Sequence, residues 1–152
     1  MLNVGDSMPD VTLTGDNGPV KLRDKLGKPL VVYFYPKDET YGCTKEACSF
    51  RDSYEDFVGA GADVIGISRD DAESHAKFKS NHRLPFSLLS DDGSAAKAFG
   101  VKGAMFGLVP GRVTFVFDKD GKTRHRFESN IQFGKHVDEA LAVVKQLRDG
   151  LH

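Results

Sequence analysis

The stretch PLVVYFYPKDETYGCTKEACSFRD, Pro29 to Asp52, predicts a strand, a short loop and a helix in succession. Its first part is a continuous apolar run rich in β-branched and aromatic residues, which is typical of a strand buried on both faces. Pro36 ends that run. The glycines that follow Val58 end a helix that begins at Cys43. In this helix, apolar residues recur at helical spacing: Ala47, Phe50, Tyr54, Phe57 and Val58. A buried strand followed by a helix indicates an α/β domain.

The rest of the chain continues the alternation of strands and helices. The segment 63–68, DVIGIS, predicts a second strand, and Asp70 with Glu73 predicts the cap of a helix running toward His82. The segments RVTFVF and KTRHRFE predict a hairpin, and a final helix carries one apolar face. We expect an α/β, thioredoxin-like fold, with a central mixed β-sheet flanked by helices, an N-terminal extension and a single domain over residues 1–152.

Composition excludes several classes of function. The 152 residues carry 21 basic and 22 acidic side chains, so no basic face indicates nucleic-acid binding. The N-terminus does not resemble a secretory signal, and no segment approaches the roughly 20 apolar residues that span a bilayer. We therefore expect a soluble protein with no nucleic-acid or membrane partner and a small, nearly neutral substrate.

The chain has only two cysteines, Cys43 and Cys48, which are too few for a disulfide scaffold. Cys43 lies where the predicted helix begins, and there the free backbone N–H groups and the helix dipole favour a thiolate. In an intact helix, a separation of five residues places the Cα atoms roughly 8.7 Å apart, beyond the ~7 Å limit for a disulfide. The two thiols can bond only if the helix unwinds.

Other interpretations of these residues were weighed. Taken alone, Cys48 could be a small buried hydrophobe. The spacing of the cysteines and of the histidines does not match a zinc site. We interpret four histidines as surface or partly buried residues: His75, His82, His125 and His136. A dithiol–disulfide oxidoreductase acting on proteins is disfavoured because Cys-x-x-Cys is absent, and a redox sensor or holdase using Cys43 as a switch remains open.

The segment FYPKDETYGCTKEAC, with GR before VTFVFDKDG, resembles the peroxiredoxin Q family, also called bacterioferritin comigratory protein. The pattern Pro-x-x-x-Thr-x-x-Cys of peroxiredoxins is matched by Pro36, Thr40 and Cys43, and their later arginine by Arg112. The resemblance covers nearly the whole chain and is greatest to plant and cyanobacterial members. Tyr41 stands where the family usually has proline, which affects the rigidity of the turn.

The resemblance implies a thiol peroxidase that reduces hydrogen peroxide and alkyl hydroperoxides. Cys43 is expected to be the attacking thiolate, and Cys48 is expected to condense with its sulfenic acid to an intramolecular disulfide. Arg112 is expected to lower the pKa of the thiol and polarise the peroxide, and Thr40 to hydrogen-bond the substrate and the sulfur. The N–H groups of Gly42 and Cys43 are expected to point at the peroxide.

Further expectations concern the surroundings of the site. Pro36 is expected to shield the pocket, and Met105 and Phe106, in the glycine-broken loop 101–111, could line the peroxide entry. The expected reductant is thioredoxin or a related dithiol protein, with no metal, haem or flavin required. We expect a monomer with a cytoplasmic address, or alternatively a plastid address as a mature form.

Overall fold

The computed structural model describes residues 1–104 and 109–150 of the chain. Nine strands lie in these residues, numbered β1 to β9: Thr12–Gly15, Gly18–Lys21, Leu30–Phe34, Asp63–Ser68, Ser87–Ser90, Gly103–Ala104, Val109–Pro110, Val113–Phe117 and Thr123–Glu128. The same residues contain five α-helices, α1 to α5: Tyr41–Asp52, Tyr54–Gly59, Ala72–His82, Ser94–Phe99 and Phe133–Arg148. A 3-10 helix spans Leu22–Lys25.

The main sheet has seven strands in the order β2-β1-β5-β4-β3-β8-β9, and β6 pairs with β7 separately. Strands β3, β4 and β5 are parallel, whereas β8 lies antiparallel to β3, with Val113 opposite Phe34. The sheet is therefore mixed and flanked by helices, which confirms the expected fold class. Because of these directions, the loop after β3, the loop after β4 and the beginning of β8 meet at one edge of the sheet.

Strand β3 explains why the apolar run in the sequence is continuous. All five of its residues are buried, and alternate side chains enter two different cores. Val31 and Tyr33 pack in the core that α1 and α5 cover, together with Cys43. Leu30 and its alternate neighbours pack on the opposite face of the sheet. A strand with helices or loops on both faces has no polar side, so period-two alternation is lost.

The boundaries of the first helix differ from the prediction. Helix α1 begins at Tyr41, two residues before Cys43, and ends at Asp52. Ser53 separates it from α2, so the predicted single helix is two helices. Val58, which was assigned to the apolar face, is 53% exposed.

Two other sequence predictions are corrected. The cap of α3 is Asp71, whose side chain accepts from the Ser74 N–H, and Asp70 makes different contacts described below. The N-terminal extension contains an unpredicted hairpin, β1 and β2, which adds to the edge of the sheet.

Residues 105–108, which include Met105 and Phe106, lie outside the described residues. None of the described helices is long and apolar enough to cross a membrane.

Candidate active site

Cys43 lies in the first turn of α1 and is 1% exposed. The intrahelical bonds begin with the Thr44 N–H, which donates to the Thr40 carbonyl at 2.9 Å. The N–H groups of Gly42 and Cys43 precede that bond and belong to the unsatisfied donors of the helix N-terminus. The sulfur is therefore placed where backbone donors and the helix dipole stabilise negative charge.

Arg112 contacts the Cys43 thiol. It directly precedes β8, and the antiparallel pairing with β3 brings it to the carboxyl end of β3, from which the chain leads to Cys43. Its Nη1 lies 3.5 Å from Cys43 Sγ, and the side chain is 7% exposed. Burial lowers the pKa of Arg112, but the negative charges of Glu46 and Cys43 more than offset this, so the guanidinium stays charged.

A buried carboxyl group, Glu46, shares the same guanidinium. Nη1 of Arg112 also donates to Glu46 Oε1 at 3.0 Å, and the Glu46 side chain is fully buried. Burial raises the pKa of Glu46 to about 8, although the nearby Arg112 opposes this shift. The second carboxyl oxygen, Oε2, has no hydrogen-bond partner among the described residues. Arg112 thus serves two acidic groups, the thiol and the carboxyl, and the latter is half-protonated near pH 8.

Behind Glu46 lies a buried histidine, His136, from α5. Its Nδ1 is 3.5 Å from Glu46 Oε2 and 2.8 Å from Thr114 Oγ1, and its Nε2 is 2.8 Å from the Ser129 carbonyl. Since a carbonyl only accepts, Nε2 carries the proton and Nδ1 accepts from the Thr114 hydroxyl. Burial lowers the pKa of His136 to about 4, so the ring is neutral near pH 7.

Gly42 is required by a close approach. A Cβ at this position would lie 2.9 Å from Arg112 Nη2 and 3.0 Å from the ring of Phe133. The Phe133 ring in turn packs against the guanidinium, with Arg112 Cζ 5.0 Å from the ring centroid. A side chain at Gly42 would therefore displace the arginine from the thiol.

Thr40 is the N-cap residue of α1, and its side chain makes no cap hydrogen bond. The Thr40 Oγ1–H donates to the Lys37 carbonyl at 2.8 Å, so its only proton is engaged. The oxygen keeps its lone pairs and can accept a hydrogen bond from a hydroperoxide O–H. Pro36 is half-buried two residues after β3, and Tyr41, in place of the usual proline, is 75% exposed.

Cys48 is half-buried further along α1, and both cysteines are free thiols. Its side chain lines an open cavity of about 420 Å³, together with five other residues: Glu39, Tyr41, Thr44, Lys45 and His82. Because one unbroken helix contains both cysteines, the sequence-based separation of roughly 8.7 Å between Cα atoms applies. A bond between the two thiols requires α1 to unwind.

The structure brings together most residues that the sequence indicated. Pro36, Thr40, Gly42 and Cys43 lie in one loop and helix start, and Arg112 reaches the sulfur. Sequence analysis missed Glu46 and Phe133, which contact the guanidinium. It also missed His136 and Thr114, which lie behind Glu46. The expectation that the histidines are surface or partly buried is wrong for His75 and His136, which are 2% and 0% exposed.

Comparisons with known proteins identify the family of this chain. The sequence profile of the AhpC/TSA family matches residues 4–126. The chain is 53% identical over 146 residues to "Peroxiredoxin Q, chloroplastic" of Arabidopsis thaliana, covering 95% of this chain and 68% of that protein. The similar protein of Sedum lineare is 50% identical over 146 residues, 95% of this chain and 78% of that one.

Solved structures extend the similarity to the three-dimensional fold. Peroxidoxin BcpB from Mycobacterium tuberculosis superposes with a TM-score of 0.89 at 38% identity, over 97% of this chain and 99% of that one. The bacterioferritin comigratory protein of Xanthomonas campestris, described for its alkyl peroxide reduction activity, gives a TM-score of 0.84 at 33% identity. The match covers 97% of this chain and 98% of that protein.

The relatives also correct the expected cellular address. The proteins of Arabidopsis thaliana and of Oryza sativa that this chain resembles are both named chloroplastic. The expectation of a cytoplasmic protein is therefore wrong, and the similarity points to the plastid. With the family match over most of the chain and a buried cysteine beside an arginine at a helix N-terminus, the chain belongs to the AhpC/TSA family as a peroxiredoxin Q, a thiol-dependent peroxidase.

Proposed function

We propose that Cys43 is the peroxidatic cysteine of this peroxidase and that four neighbouring residues complete the peroxide site: Pro36, Thr40, Gly42 and Arg112. The assignment depends on one observation, the 3.5 Å contact between Arg112 Nη1 and Cys43 Sγ in the first turn of α1. A guanidinium and free backbone N–H groups both favour the thiolate, which is the nucleophilic form.

The first chemical step is attack of the Cys43 thiolate on one oxygen of a hydroperoxide. A sulfur–oxygen bond forms as the oxygen–oxygen bond breaks, and the second oxygen leaves with the electron pair, takes up a proton and departs as water or an alcohol. Arg112 and the N–H groups of Gly42 and Cys43 donate to the peroxide oxygens, where charge develops. Thr40 Oγ1 accepts the hydroperoxide O–H, and Pro36 limits access of water.

The second step uses Cys48 as the resolving cysteine. Its thiol condenses with the Cys43 sulfenic acid, forming a disulfide and releasing water. Helix α1 unwinds to allow this, at a cost of a few backbone hydrogen bonds of about 0.5–1.5 kcal/mol each, which disulfide formation offsets.

The cycle closes when a dithiol protein of the thioredoxin type reduces the disulfide and is itself oxidised. Because both thiols belong to one chain, no second subunit is needed, and we propose a monomer with one domain over residues 1–152. We also propose a plastid address, supported by the chloroplastic names of its relatives.

The test is peroxide consumption by the purified protein with thioredoxin, thioredoxin reductase and NADPH. Cys43→Ser should abolish activity, because a serine hydroxyl is not ionised near neutral pH and does not attack peroxide. Ser49→Ala, a neighbouring half-buried position on α1 with no assigned role, should retain wild-type activity. Substantial peroxidase activity in Cys43→Ser would refute the assignment.

A further inference from the structure

A second buried carboxylate, Asp38, lies two residues before Thr40 and has no part in the chemistry described above. Its side chain is 1% exposed. Oδ1 accepts from the Tyr35 hydroxyl at 2.5 Å, and Oδ2 accepts from the Ser74 hydroxyl at 2.8 Å and faces His75 Nδ1 at 2.7 Å. Three donors therefore hold this one carboxylate, one from the residue after β3 and two from α3.

His75 is the closest partner of this buried carboxylate. Its Nδ1 faces the Asp38 carboxylate at 2.7 Å, and its Nε2 faces the Leu89 carbonyl at 3.2 Å. Because a carboxylate only accepts, Nδ1 carries a proton and donates to Asp38. Burial, followed by the charges of Tyr33 and Asp38, raises the pKa of Tyr35 well above its usual value, so its hydroxyl remains a donor.

The backbone of Asp38 connects this Asp38–His75 pair to the Thr40 hydroxyl. The peptide unit between Lys37 and Asp38 is bonded at both ends. Its carbonyl accepts from Thr40 Oγ1–H at 2.8 Å, and its N–H donates to Asp70 Oδ2 at 2.8 Å. Asp70 is itself held by the Ser68 hydroxyl at 2.7 Å. The direction of the Thr40 lone pairs thus depends on a peptide plane that the loop after β4 and α3 hold in place.

A metal site would be another interpretation of the same cluster. Ligand atoms of Asp38, Asp70 and His75 lie within 4.8 Å of one another. However, His75 Nδ1 and the Asp38 oxygens are already bonded to each other and to hydroxyl donors, and Asp70 Oδ2 accepts from an N–H and a hydroxyl. The polar groups of this cluster therefore have hydrogen-bond partners without a metal ion. The cluster fits a structural anchor, meaning an Asp38–His75 pair that holds the loop before Thr40 in place.

We propose that Asp38 and His75 are positioning residues that orient the Thr40 hydroxyl toward the peroxide, acting through the Lys37–Asp38 peptide. The inference depends on the role of Thr40 in the proposed function. It separates two properties of the site, because the thiolate is stabilised by Arg112 and the helix N-terminus, which the Asp38–His75 pair does not contact. Loss of the pair should therefore impair reaction with peroxide and spare the reactivity of the thiolate itself.

The experiment measures two rates for Cys43, in a Cys48→Ser background so that only one thiol reacts. One is the second-order rate of oxidation by hydrogen peroxide, and the other is the rate of alkylation by iodoacetamide at the same pH. Asp38→Asn and His75→Gln should each slow oxidation by about 10- to 100-fold, the cost of misplacing a reacting group, and leave alkylation within about threefold of the parent.

Further variants separate positioning from general damage. Asp38→Asn with His75→Gln should cost no more than the worse single change, since both remove the same pair. Ser74→Ala, which removes one hydroxyl bond and keeps the Asp38–His75 contact, should slow oxidation only a few-fold and serves if the stronger variants do not fold. His125→Gln is the matched control and should change neither rate. His125 Nε2 lies 3.5 Å from Glu139 Oε1, and this pair is not part of the loop that contains Asp38.

Two results would overturn the inference. If oxidation and alkylation fall by the same factor, the pair supports only the fold, and if neither falls in a folded variant, the pair does not position Thr40. Thr40→Val distinguishes this from failure of the proposed function. If Thr40→Val slows oxidation and Asp38→Asn oxidises at the normal rate, only the positioning role of Asp38 and His75 is refuted. If Thr40→Val oxidises at the wild-type rate, Thr40 has no role in the site, and the positioning role is refuted with it.

Discussion

Two buried acidic residues, Asp38 before Cys43 and Glu46 after it, differ in how completely their carboxyl oxygens are hydrogen-bonded. Before Cys43, Asp38 accepts three hydrogen bonds, from the side chains of Tyr35, Ser74 and His75. After it, Glu46 shares Arg112 with the thiol, and its Oε2 has no hydrogen-bond partner among the described residues. The carboxylate in the loop is held by several hydrogen bonds. The carboxyl group on the helix lacks one, and it would be hydrated if α1 unwound and exposed it to water.

This difference matches what each segment does in the proposed cycle. The loop must keep Thr40 in place for every peroxide, and a fully hydrogen-bonded carboxylate keeps it there. Helix α1 must unwind to bring Cys48 to Cys43, and an unsatisfied buried carboxyl lowers the cost of doing so.

Cys48→Ser should remove multiple turnover almost completely and retain the first equivalent of peroxide reduction. Without a resolving thiol, Cys43 stays a sulfenic acid, open to overoxidation or rescue by an added small thiol. Mass spectrometry of the oxidised variant, with Ser49→Ala as control, measures this. An intermolecular disulfide in the wild type would mean that Cys48 resolves a neighbouring chain, and the monomer proposal would be wrong.

Oxidation should unwind α1 and spare the loop before it. Amide hydrogen exchange of residues 43–50 should lose protection in the disulfide form and regain it on reduction, whereas the Asp38 N–H, bonded to Asp70, should stay protected. Equal protection of residues 43–50 in both forms, with an intramolecular Cys43–Cys48 bond present, would contradict the need for unwinding.

Arg112→Met should slow oxidation of Cys43 by about 10- to 100-fold and move its alkylation profile to higher pH, because a cation beside the thiol is lost. Arg112→Lys should restore only part of the rate, since lysine lacks the planar guanidinium. Arg124→Met, which breaks an ion pair with Asp118 instead, is the control and should react normally. A pH profile of Arg112→Met that overlays the wild type would remove Arg112 from the site.

Glu46 and His136 should give opposite pH dependences of stability. Burial raises the pKa of Glu46 from 4.5 to about 8, so its contribution is present below pH 4.5 and is lost as pH rises through 8. Burial lowers the pKa of His136 from 6.5 to about 4, so its contribution is present above pH 6.5 and is lost as pH falls toward 4.

Between pH 6.5 and 8, Glu46 alone of these two changes stability. Urea unfolding should show that the wild type loses at most about 2 kcal/mol over this interval relative to Glu46→Gln. Glu139→Gln, which removes a half-exposed carboxylate on α5, is the control and should keep the wild-type slope. Parallel pH dependences of wild type and Glu46→Gln would show that Glu46 is ionised throughout.

Part of the site could be predicted because it is local. Pro36, Thr40, Gly42 and Cys43 lie within one strand end and one helix start, and their spacing is visible in eight residues of sequence. Glu46 had a usable signal, since a charged residue three positions after Cys43 falls on the inward face of α1 and needs a partner. The cap at Asp71 was missed because the adjacent Asp70 offers the same side chain and better spacing to Glu73.

The buried strand, the helix that starts around Cys43 and the separation of the two thiols follow from local geometry, so the amino-acid sequence is enough to predict them. The surroundings of the sulfur depend on contacts between distant parts of the chain. Arg112 meets Cys43 across 69 residues and Glu46 across 66, and Asp38 meets His75 across 37. Such contacts depend on strand order and direction, because the parallel strands β3 and β4 and the antiparallel β8 bring distant segments to one sheet edge.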